Sequence, residues 1–238
     1  MLPGNSVTTN MVNKDIYALV TGGTQGIGRY MANLLAEEGY NLIVVGQNRE
    51  SLSALCSDIQ SRFPVTVHTY ETDLVSLDDA FVLHRDIMDQ HIQIATIAHS
   101  IHDGRGFEEF SQTCMDQQHD TIQMNIMNFV VLTRLFLPEM IARHTGKLIS
   151  IVEDKRMNIQ PNAVYTASIA FLDSFMCSMT SELMGSGISV SNTHSSMTKN
   201  PAVKNRDKSD SRQTNIGLVR KRVNKERDGF ASFKRDDK

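Results

Sequence analysis

The stretch "TGGTQGIG" (21–28) follows directly on a short apolar run, "IYALV" (16–20), and precedes the segment "RYMANLLAEEG" (29–39). An apolar run of this length is typical of a buried strand, and the apolar residues after the turn recur at helical spacing. Glycine permits a tight turn and a close approach of the backbone to a ligand. A glycine-rich turn between a strand and a helix predicts a site for dinucleotide phosphates at the helix N-terminus. The alternative is a structural turn that kept its glycines after losing its ligand.

The alternation of strand and helix continues along the chain. Short apolar runs predict further strands, and amphipathic segments between them predict helices. Such βαβ units imply an α/β fold, a doubly wound Rossmann-type parallel sheet with helices on both faces. The predicted strands are 41–46, 65–70, 93–98, 147–152 and 188–193, and the predicted helices are 51–63, 78–90, 117–143 and 162–184.

The sequence contains no repeat and no linker, so we predict a single Rossmann-fold domain over residues 15–198. A polar N-terminal extension (1–14) precedes it, and a basic C-terminal segment (199–238) follows. Within that segment we expect a short lid at 199–210, a last helix near 211–223 and a short strand in "GFASF" (229–233).

Composition excludes several protein classes. The 238 residues are 40% hydrophobic and 21% charged, an ordinary globular balance. Three scattered cysteines without CxxC spacing disfavour a disulfide framework or a zinc site, and we predict no metal. The N-terminus lacks the apolar core of a signal peptide, and no apolar run is long enough for a membrane span. We therefore expect a cytoplasmic protein.

The net charge of −3 conceals an asymmetry along the chain. Residues 199–238 carry a balance of +7, and residues 1–198 carry −10. A basic tail can bind nucleic acid or an acidic membrane surface. The tail has almost no aromatic residues to stack on bases, so we interpret it as solvated surface and expect no nucleic-acid partner.

Several motifs together resemble the short-chain dehydrogenase/reductase family. "TGGTQGIG" has the family's Thr-Gly-x-x-x-Gly-Ile-Gly spacing, and "TDLVS" (72–76) resembles its Asp-Leu after the third strand. "MNIMNFVVLTRLFLPEMI" (124–141) resembles its long central helix, "GKLISIV" (146–152) its fifth strand and "YTASIAFLDSF" (165–175) the helix that carries Tyr-x-x-x-Lys. "FPVTVHTYETDL" (63–74) and "FLDSF" (171–175) suggest its hydroxysteroid and 3-oxoacyl-CoA reductase branch.

This resemblance implies NAD(P)-dependent oxidation or reduction of a small-molecule hydroxyl or carbonyl substrate. It implies two catalytic positions, Tyr165 as the acid/base and Asn125 as the holder of a relay water. Asp73 would contact the adenine. The positions implied for the cofactor's phosphates are Thr21, Gly22, Gly26, Ile27 and Gly28.

The chain departs from the family at positions that face cofactor or substrate. The lysine that lowers the tyrosine pKa is replaced by Ile169, and the serine position falls on Val152 or Glu153. "IAHS" (97–100) replaces Asn-Asn-Ala-Gly, and "SS" (195–196) replaces Pro-Gly. A free tyrosine has a pKa of about 10 and needs an adjacent cation to work near neutral pH. The ordinary reaction is therefore predicted to be impaired or absent, with Tyr165 a relic.

Two groups of polar residues leave open a reaction that does not use the family's usual catalytic residues. "HSIHDGRG" (99–106) brings His99, His102, Asp103 and Arg105 to the end of the fourth strand, where His99 could act as an acid/base. Glu153 could serve Tyr165 as a general base. The alternatives are an ordinary polar loop and a charged residue without a role. A further alternative is a non-catalytic scaffold that binds a dinucleotide or a partner.

The type of cofactor and the oligomeric state can also be predicted, in less detail than the site residues. An acidic residue at the end of the second strand would bind the ribose of NAD, but Gly46 and Gln47 stand there. With no carboxylate to repel a 2′-phosphate and with Arg49 near, NADP is favoured over NAD. The family's two long helices commonly form subunit interfaces, so we expect a homo-oligomer or a heteromer with an active relative.

Overall fold

The structure, a computed structural model, describes residues 16–101, 109–153 and 163–195. The strands are Ile16–Thr21 (β1), Asn41–Gly46 (β2), Val67–Glu71 (β3), Gln93–Ser100 (β4), Gly146–Glu153 (β5) and Ile188–Ser195 (β6). The helices are Gly26–Glu37 (α1), Arg49–Arg62 (α2), Leu77–Asp89 (α3), Met115–Ile122 (α4), Asn128–Ala142 (α5) and Ala163–Glu182 (α6). The elements agree with the predicted ones within a few residues. The N-terminal extension, the lid and the last helix and strand lie outside the described residues.

The six strands form one parallel sheet in the order β3-β2-β1-β4-β5-β6. The chain runs outward from β1 through β2 to β3, and then returns to the other side of β1 with β4. This reversal creates a crevice at the carboxyl ends of β1 and β4, the usual ligand position in open parallel sheets. The predicted doubly wound Rossmann-type sheet is therefore confirmed.

Two hydrophobic clusters cover the two faces of the sheet. One joins the sheet to α3, α5 and α6, and the other joins it to α1 and α2. Alternate residues of one strand serve different clusters, as Leu19 and Val20 do in β1. Burial on both faces explains why these strands are continuous apolar runs instead of alternating patterns.

The long central helix is interrupted. Gln123–Met127 form a π-helical turn between α4 and α5, which the hydrophobic pattern did not predict. Such turns hold one extra residue and occur frequently at functional sites. Here the turn brings Asn125, only 1% exposed, to the crevice at the switch point.

Among the described residues, one helix has the length and composition of a membrane span. It is the continuous helical stretch Met115–Ala142, in which a window of 18 residues has a mean hydropathy of 1.3. Phe129, Leu132 and Phe136 are buried in the cluster beneath the sheet. By length and composition this helix differs from the prediction that no apolar run is long enough for a membrane span, and 39% of its apolar window is buried inside the fold.

Candidate functional site

A cavity of about 310 Å³ opens at the carboxyl ends of β1 to β4. We call it the glycine-turn cavity. Its walls are the glycine turn, the ends of β2 and β4, the segment after β3 and the π-helical turn with the start of α5. The predicted site residues that line it are Thr21, Gly22, Gly26, Ile27, Asp73 and Asn125.

The glycine turn is closely packed against β4. Gly22 has a φ of +70°, and a β-carbon there would lie 2.9 Å from the Ser100 carbonyl oxygen. A β-carbon on Gly28 would collide with the Gly22 carbonyl oxygen, so Gly28 shapes the turn from behind without lining the cavity. Side chains are excluded at both positions, as the close approach of a backbone to a phosphate requires.

The N-terminus of α1 faces this turn. Its N-cap, Gln25, makes no side-chain capping bond, and the first turn carries no acidic residue. The first backbone N–H groups of a helix have no partner within the helix and carry a partial positive charge. They fit the phosphates of a nucleotide.

The end of β2 forms the opposite rim. Gln47 and Asn48 line the cavity, whereas Arg49 is exposed at the start of α2 and does not line it. The Gln47 amide Nε2 lies 3.6 Å from the Met124 sulfur, and this contact spans the rim of the cavity. The Asn48 side chain accepts a hydrogen bond from the Ser51 N–H and caps α2. The predicted role of Arg49 stays a prediction that requires its side chain to turn inward.

Asp73 lies on the same side of the cavity, in the segment after β3. Its Oδ1 accepts a hydrogen bond of 3.0 Å from the Val75 N–H, which orients the carboxylate. Leu74 and Val45 line the cavity beside it. A carboxylate next to apolar side chains can accept from the amino group of a base that packs on those side chains.

His99 is the last buried residue of β4 and is only 2% exposed. Its Nε2 lies 3.2 Å from the Asn125 backbone oxygen, and its Nδ1 lies 2.7 Å from the Thr21 hydroxyl. A carbonyl oxygen only accepts, so the network assigns the hydrogen to Nε2, and Nδ1 accepts from Thr21. Burial lowers the pKa of His99 to about 4, although the hydrogen bond to Asn125 opposes the shift. The imidazole is therefore neutral at pH 7.

Tyr165 lies away from the cavity. It is 3% exposed and belongs to the same hydrophobic cluster as Ile169 and Val152, both fully buried. None of the three lines the cavity. Glu153 ends β5 next to Val152. The structure thus brings the predicted phosphate-binding residues and Asn125 together, but it places Tyr165 in the core.

The sequence of the chain matches the model of a known family over residues 17–211, and that family is described as short chain dehydrogenase. The chain belongs to the short-chain dehydrogenase family. The resemblance predicted from the motifs is confirmed over most of the described fold.

Curated relatives of this short-chain dehydrogenase are named very-long-chain 3-oxoacyl-CoA reductase. The relative from Pyrenophora tritici-repentis is 29% identical over 194 residues, which cover 80% of this chain and 57% of the relative. The relative from Rattus norvegicus is 28% identical over 178 residues, which cover 73% and 56%. The chain therefore spans little more than half the length of the curated relatives it matches.

Solved structures share the fold. A metagenomic short-chain oxidoreductase in complex with NADP superposes with a TM-score of 0.69 at 24% identity, covering 79% of this chain and 85% of that one. A 7β-hydroxysteroid dehydrogenase superposes with a TM-score of 0.68 at 20% identity, covering 78% and 73%.

The pairing of His99 with Thr21 is the main feature of this short-chain dehydrogenase that sequence reasoning missed. The sequence predicted that β4 ends at residue 98 and placed His99 at the end of that strand as a candidate acid/base, with an ordinary polar loop as the alternative. The strand instead continues to Ser100, and His99 lies beside Thr21 in the register of β1 and β4. In the usual order of a doubly wound sheet the first and fourth strands are neighbours, so the positions of Thr21 and His99 at the ends of these strands were a usable signal. His102, Asp103 and Arg105 lie outside the described residues.

A metal site is not indicated in the described parts of this short-chain dehydrogenase. No group of three or more His, Cys, Asp or Glu side chains there is arranged to hold an ion. The cavity instead offers backbone N–H groups, amides and one carboxylate, which are donors and acceptors suited to a nucleotide.

Proposed function

We propose that the chain is an NADP(H)-binding short-chain dehydrogenase in which ordinary carbonyl or hydroxyl oxidoreduction is impaired or lost. One observation carries the proposal. The glycine turn lines an open cavity, while Ile169, Val152 and Tyr165 are packed together in the core. This arrangement supports a site that binds the phosphates of the cofactor but lacks the family's proton-transfer residues.

The glycine turn supports a dinucleotide cofactor. At Gly22 and Gly28 a β-carbon would collide with the neighbouring backbone, so only glycine permits the tight turn, and the α1 N-terminus offers its first N–H groups. No carboxylate stands at the end of β2, where Gln47 and Asn48 line the rim. A 2′-phosphate is therefore not repelled there, which favours NADP over NAD. Similar folds have been solved with NADP and NADPH bound.

The missing step is proton transfer. In this family the cofactor supplies or takes up hydride, and the chain's own residues must move a proton to or from the substrate oxygen. A hydroxyl held without a cation nearby is a poor acid/base at neutral pH. Ile169 supplies no charge, and Val152 supplies no hydroxyl to orient a substrate oxygen.

The substrate class follows from the relatives. Their names point to 3-oxoacyl-CoA thioesters, so a chain that retains activity would act on a 3-oxo or 3-hydroxy acyl group. A chain without activity would serve as a nucleotide-binding partner, as a homo-oligomer or with an active relative.

The test combines binding with turnover. Calorimetric titration of the purified chain with NADPH should show saturable binding, and NADPH oxidation with a 3-oxoacyl-CoA should stay at background. The double variant Val152→Ser/Ile169→Lys should raise turnover at least about 10²-fold, because general acid/base catalysis usually accelerates a reaction by at least that factor. Val152→Ala/Ile169→Met is the matched control, since it changes the same positions without adding a hydroxyl or a charge. Native turnover equal to that of the restored variant would refute the impairment.

A second candidate is altered chemistry in which His99 or Glu153 assists Tyr165. Its support is the position of His99 at the cavity wall. Both ring nitrogens of His99 already bind protein atoms, and its lowered pKa disfavours proton uptake at pH 7. We therefore rank this function second. Loss of measurable native turnover in His99→Gln, with NADPH affinity retained, would favour it.

A further inference from the structure

His99 connects three segments of the cavity lining. It lies near the end of β4, beside Thr21 in the register of β1 and β4. Its Nδ1 lies 2.7 Å from the Thr21 hydroxyl, and its Nε2 lies 3.2 Å from the Asn125 carbonyl oxygen. Thr21 leads into the glycine turn and Asn125 lies in the π-helical turn, so one side chain joins both turns to the sheet.

The two hydrogen bonds have fixed directions. A carbonyl oxygen only accepts, so Nε2 carries the hydrogen and Nδ1 accepts from the Thr21 hydroxyl. Burial lowers the pKa of His99 to about 4, so the ring keeps this neutral form at pH 7. The hydroxyl hydrogen of Thr21 is therefore donated to His99 and is not available to a phosphate oxygen.

The imidazole ring is held in place by packing as well. His99 is only 2% exposed, and the ring of Phe129 stacks on it with centroids 5.1 Å apart and planes at 17°. Phe129 is itself fully buried in the cluster that covers this face of the sheet. A side chain whose rotamer is fixed by packing can hold the groups that it bonds in the geometry that a binding site needs.

His99 has no nitrogen left for a ligand. It lines the cavity, but both ring nitrogens bind protein atoms. Its partners belong to the two turns that would meet a nucleotide, because Thr21 leads into the glycine turn and the π-helical turn supplies Met124 and Asn125 to the lining. The hydrogen bonds of His99 therefore affect binding through the positions of these turns.

We propose that His99 is a positioning residue of the nucleotide site, and that its two hydrogen bonds hold the glycine turn and the π-helical turn in the arrangement that binds NADPH. It neither donates to the ligand nor accepts from it. This inference rests on the proposed nucleotide-binding function of the same cavity.

Two variants with side chains of equal length test this role. His99→Gln keeps a donor and an acceptor, whereas His99→Met keeps no donor and only a weak acceptor. Calorimetric titration with NADPH should give His99→Gln a Kd within about threefold of the native value. His99→Met should have a Kd about tenfold higher, as expected for the loss of two hydrogen bonds. Both variants lose the stacking on Phe129, so equal Kd values in the two would overturn the inference.

A double-mutant cycle tests whether His99 acts through Thr21. Thr21→Val removes the hydroxyl that donates to Nδ1 and keeps a branched side chain of similar shape. It should weaken NADPH binding less in the His99→Met background than in the native chain, because the hydrogen bond is already lost there. Equal weakening in both backgrounds would make the two residues independent and would overturn the inference.

Nitrogen NMR of the native chain covers the case in which His99→Met does not fold. His99 should carry its hydrogen on Nε2, and saturating NADPH should shift the Nδ1 signal, because Thr21 leads into the occupied turn. His119 should not shift, since it is exposed and does not line the cavity. An unchanged His99 signal at saturation would overturn the inference and leave the proposed function standing. No saturable binding of NADPH by the native chain would overturn both.

Discussion

Tyr165 stands at the family's catalytic position but is packed with Ile169 and Val152. Removing its hydroxyl should therefore not change the turnover of the native chain. We expect Tyr165→Phe to leave any NADPH oxidation unchanged within twofold. Tyr165 has an interaction partner in the fold. Because the loss of one intramolecular hydrogen bond costs about 0.5–1.5 kcal/mol, we expect the free energy of unfolding to fall by that amount in Tyr165→Phe. Steady-state assays and urea unfolding measure the two effects.

The same substitution should matter once the family's chemistry is restored. In the Val152→Ser/Ile169→Lys background, Tyr165→Phe should abolish the gained turnover. Because Ile169 is fully buried, thermal unfolding must first show that this background is folded. A large loss in the native background would instead mean that Tyr165 still works, with a group other than a lysine at position 169.

His99 predicts a pH dependence of stability. Its pKa of about 4 lies below the ordinary value of about 6.5, so the unfolded chain binds more protons between these pH values. The stability that His99 contributes is therefore complete above about pH 6.5 and is lost as pH falls toward 4. Between pH 7.5 and 5 the native chain should lose about 2 kcal/mol through this residue.

Urea unfolding of native protein and His99→Gln at the two pH values measures this loss. Glutamine keeps a donor and an acceptor but does not titrate, so the variant should show a smaller decrease. His119→Gln is the matched control, since His119 is exposed and its removal should leave the native pH dependence. Equal decreases in native protein and His99→Gln would contradict the buried neutral histidine.

At the scale of elements, the glycine turn predicts a contrast between two glycines. Gly22 and Gly39 both have positive φ, +70° and +87°, but only Gly22 lies against another segment. Alanine at either position should cost about 1–2 kcal/mol for the left-handed backbone. Gly22→Ala should cost more, because its β-carbon would lie 2.9 Å from the Ser100 oxygen, and it should weaken nucleotide binding.

Thermal unfolding and NADPH titration of both variants measure this contrast. If Gly22→Ala were no less stable than Gly39→Ala and bound NADPH as well, the turn would not approach β4 as closely as described. Its role at the nucleotide would then have to be abandoned.

Most elements were predictable because burial on both sheet faces produces apolar runs that a single sequence displays. In α1 the apolar residues that recur at helical spacing are Ile27, Met31, Leu34 and Leu35, and all four are buried. The π-helical turn was not predictable, because one extra residue hardly changes the average spacing of apolar residues along so long a helix. It depends on long-range contacts such as the bond from His99 to the Asn125 carbonyl.

The candidate site was predictable only in its local part. The glycine turn is local in sequence, and its predicted residues line the cavity apart from Gly28. Thr21 and His99 are 78 residues apart, so their hydrogen bond required the strand order and the true end of β4. The inward packing of Tyr165 also depends on tertiary contacts that the motif does not contain.

At the scale of the whole molecule, α6 leaves apolar surface uncovered. Phe171 is 41% exposed and stacks on Phe175 with centroids 6.0 Å apart. We expect this surface to form a subunit interface, so light scattering at micromolar concentration should give at least twice the 26.7 kDa of one chain. Phe171→Glu should reduce the mass to that of one chain.

Phe81→Glu is the matched control for this assembly. Phe81 is 52% exposed on α3, a helix outside the predicted interface, so its substitution should leave the oligomer intact. A native mass of 26.7 kDa, or dissociation by Phe81→Glu alone, would argue against an interface through α6.

The π-helical turn gives the central helix one residue more than a regular α-helix would hold there. Deleting one residue within Gln123–Met127 would therefore convert the turn to regular α-helix and leave α4 and α5 in phase, with Phe129 and Phe136 still in the core. An α-helix turns by about 100° per residue, so a deletion inside α5 would instead rotate every residue after it off its present face. Lineages of this chain should accordingly tolerate a single-residue deletion in the turn far better than one in α5.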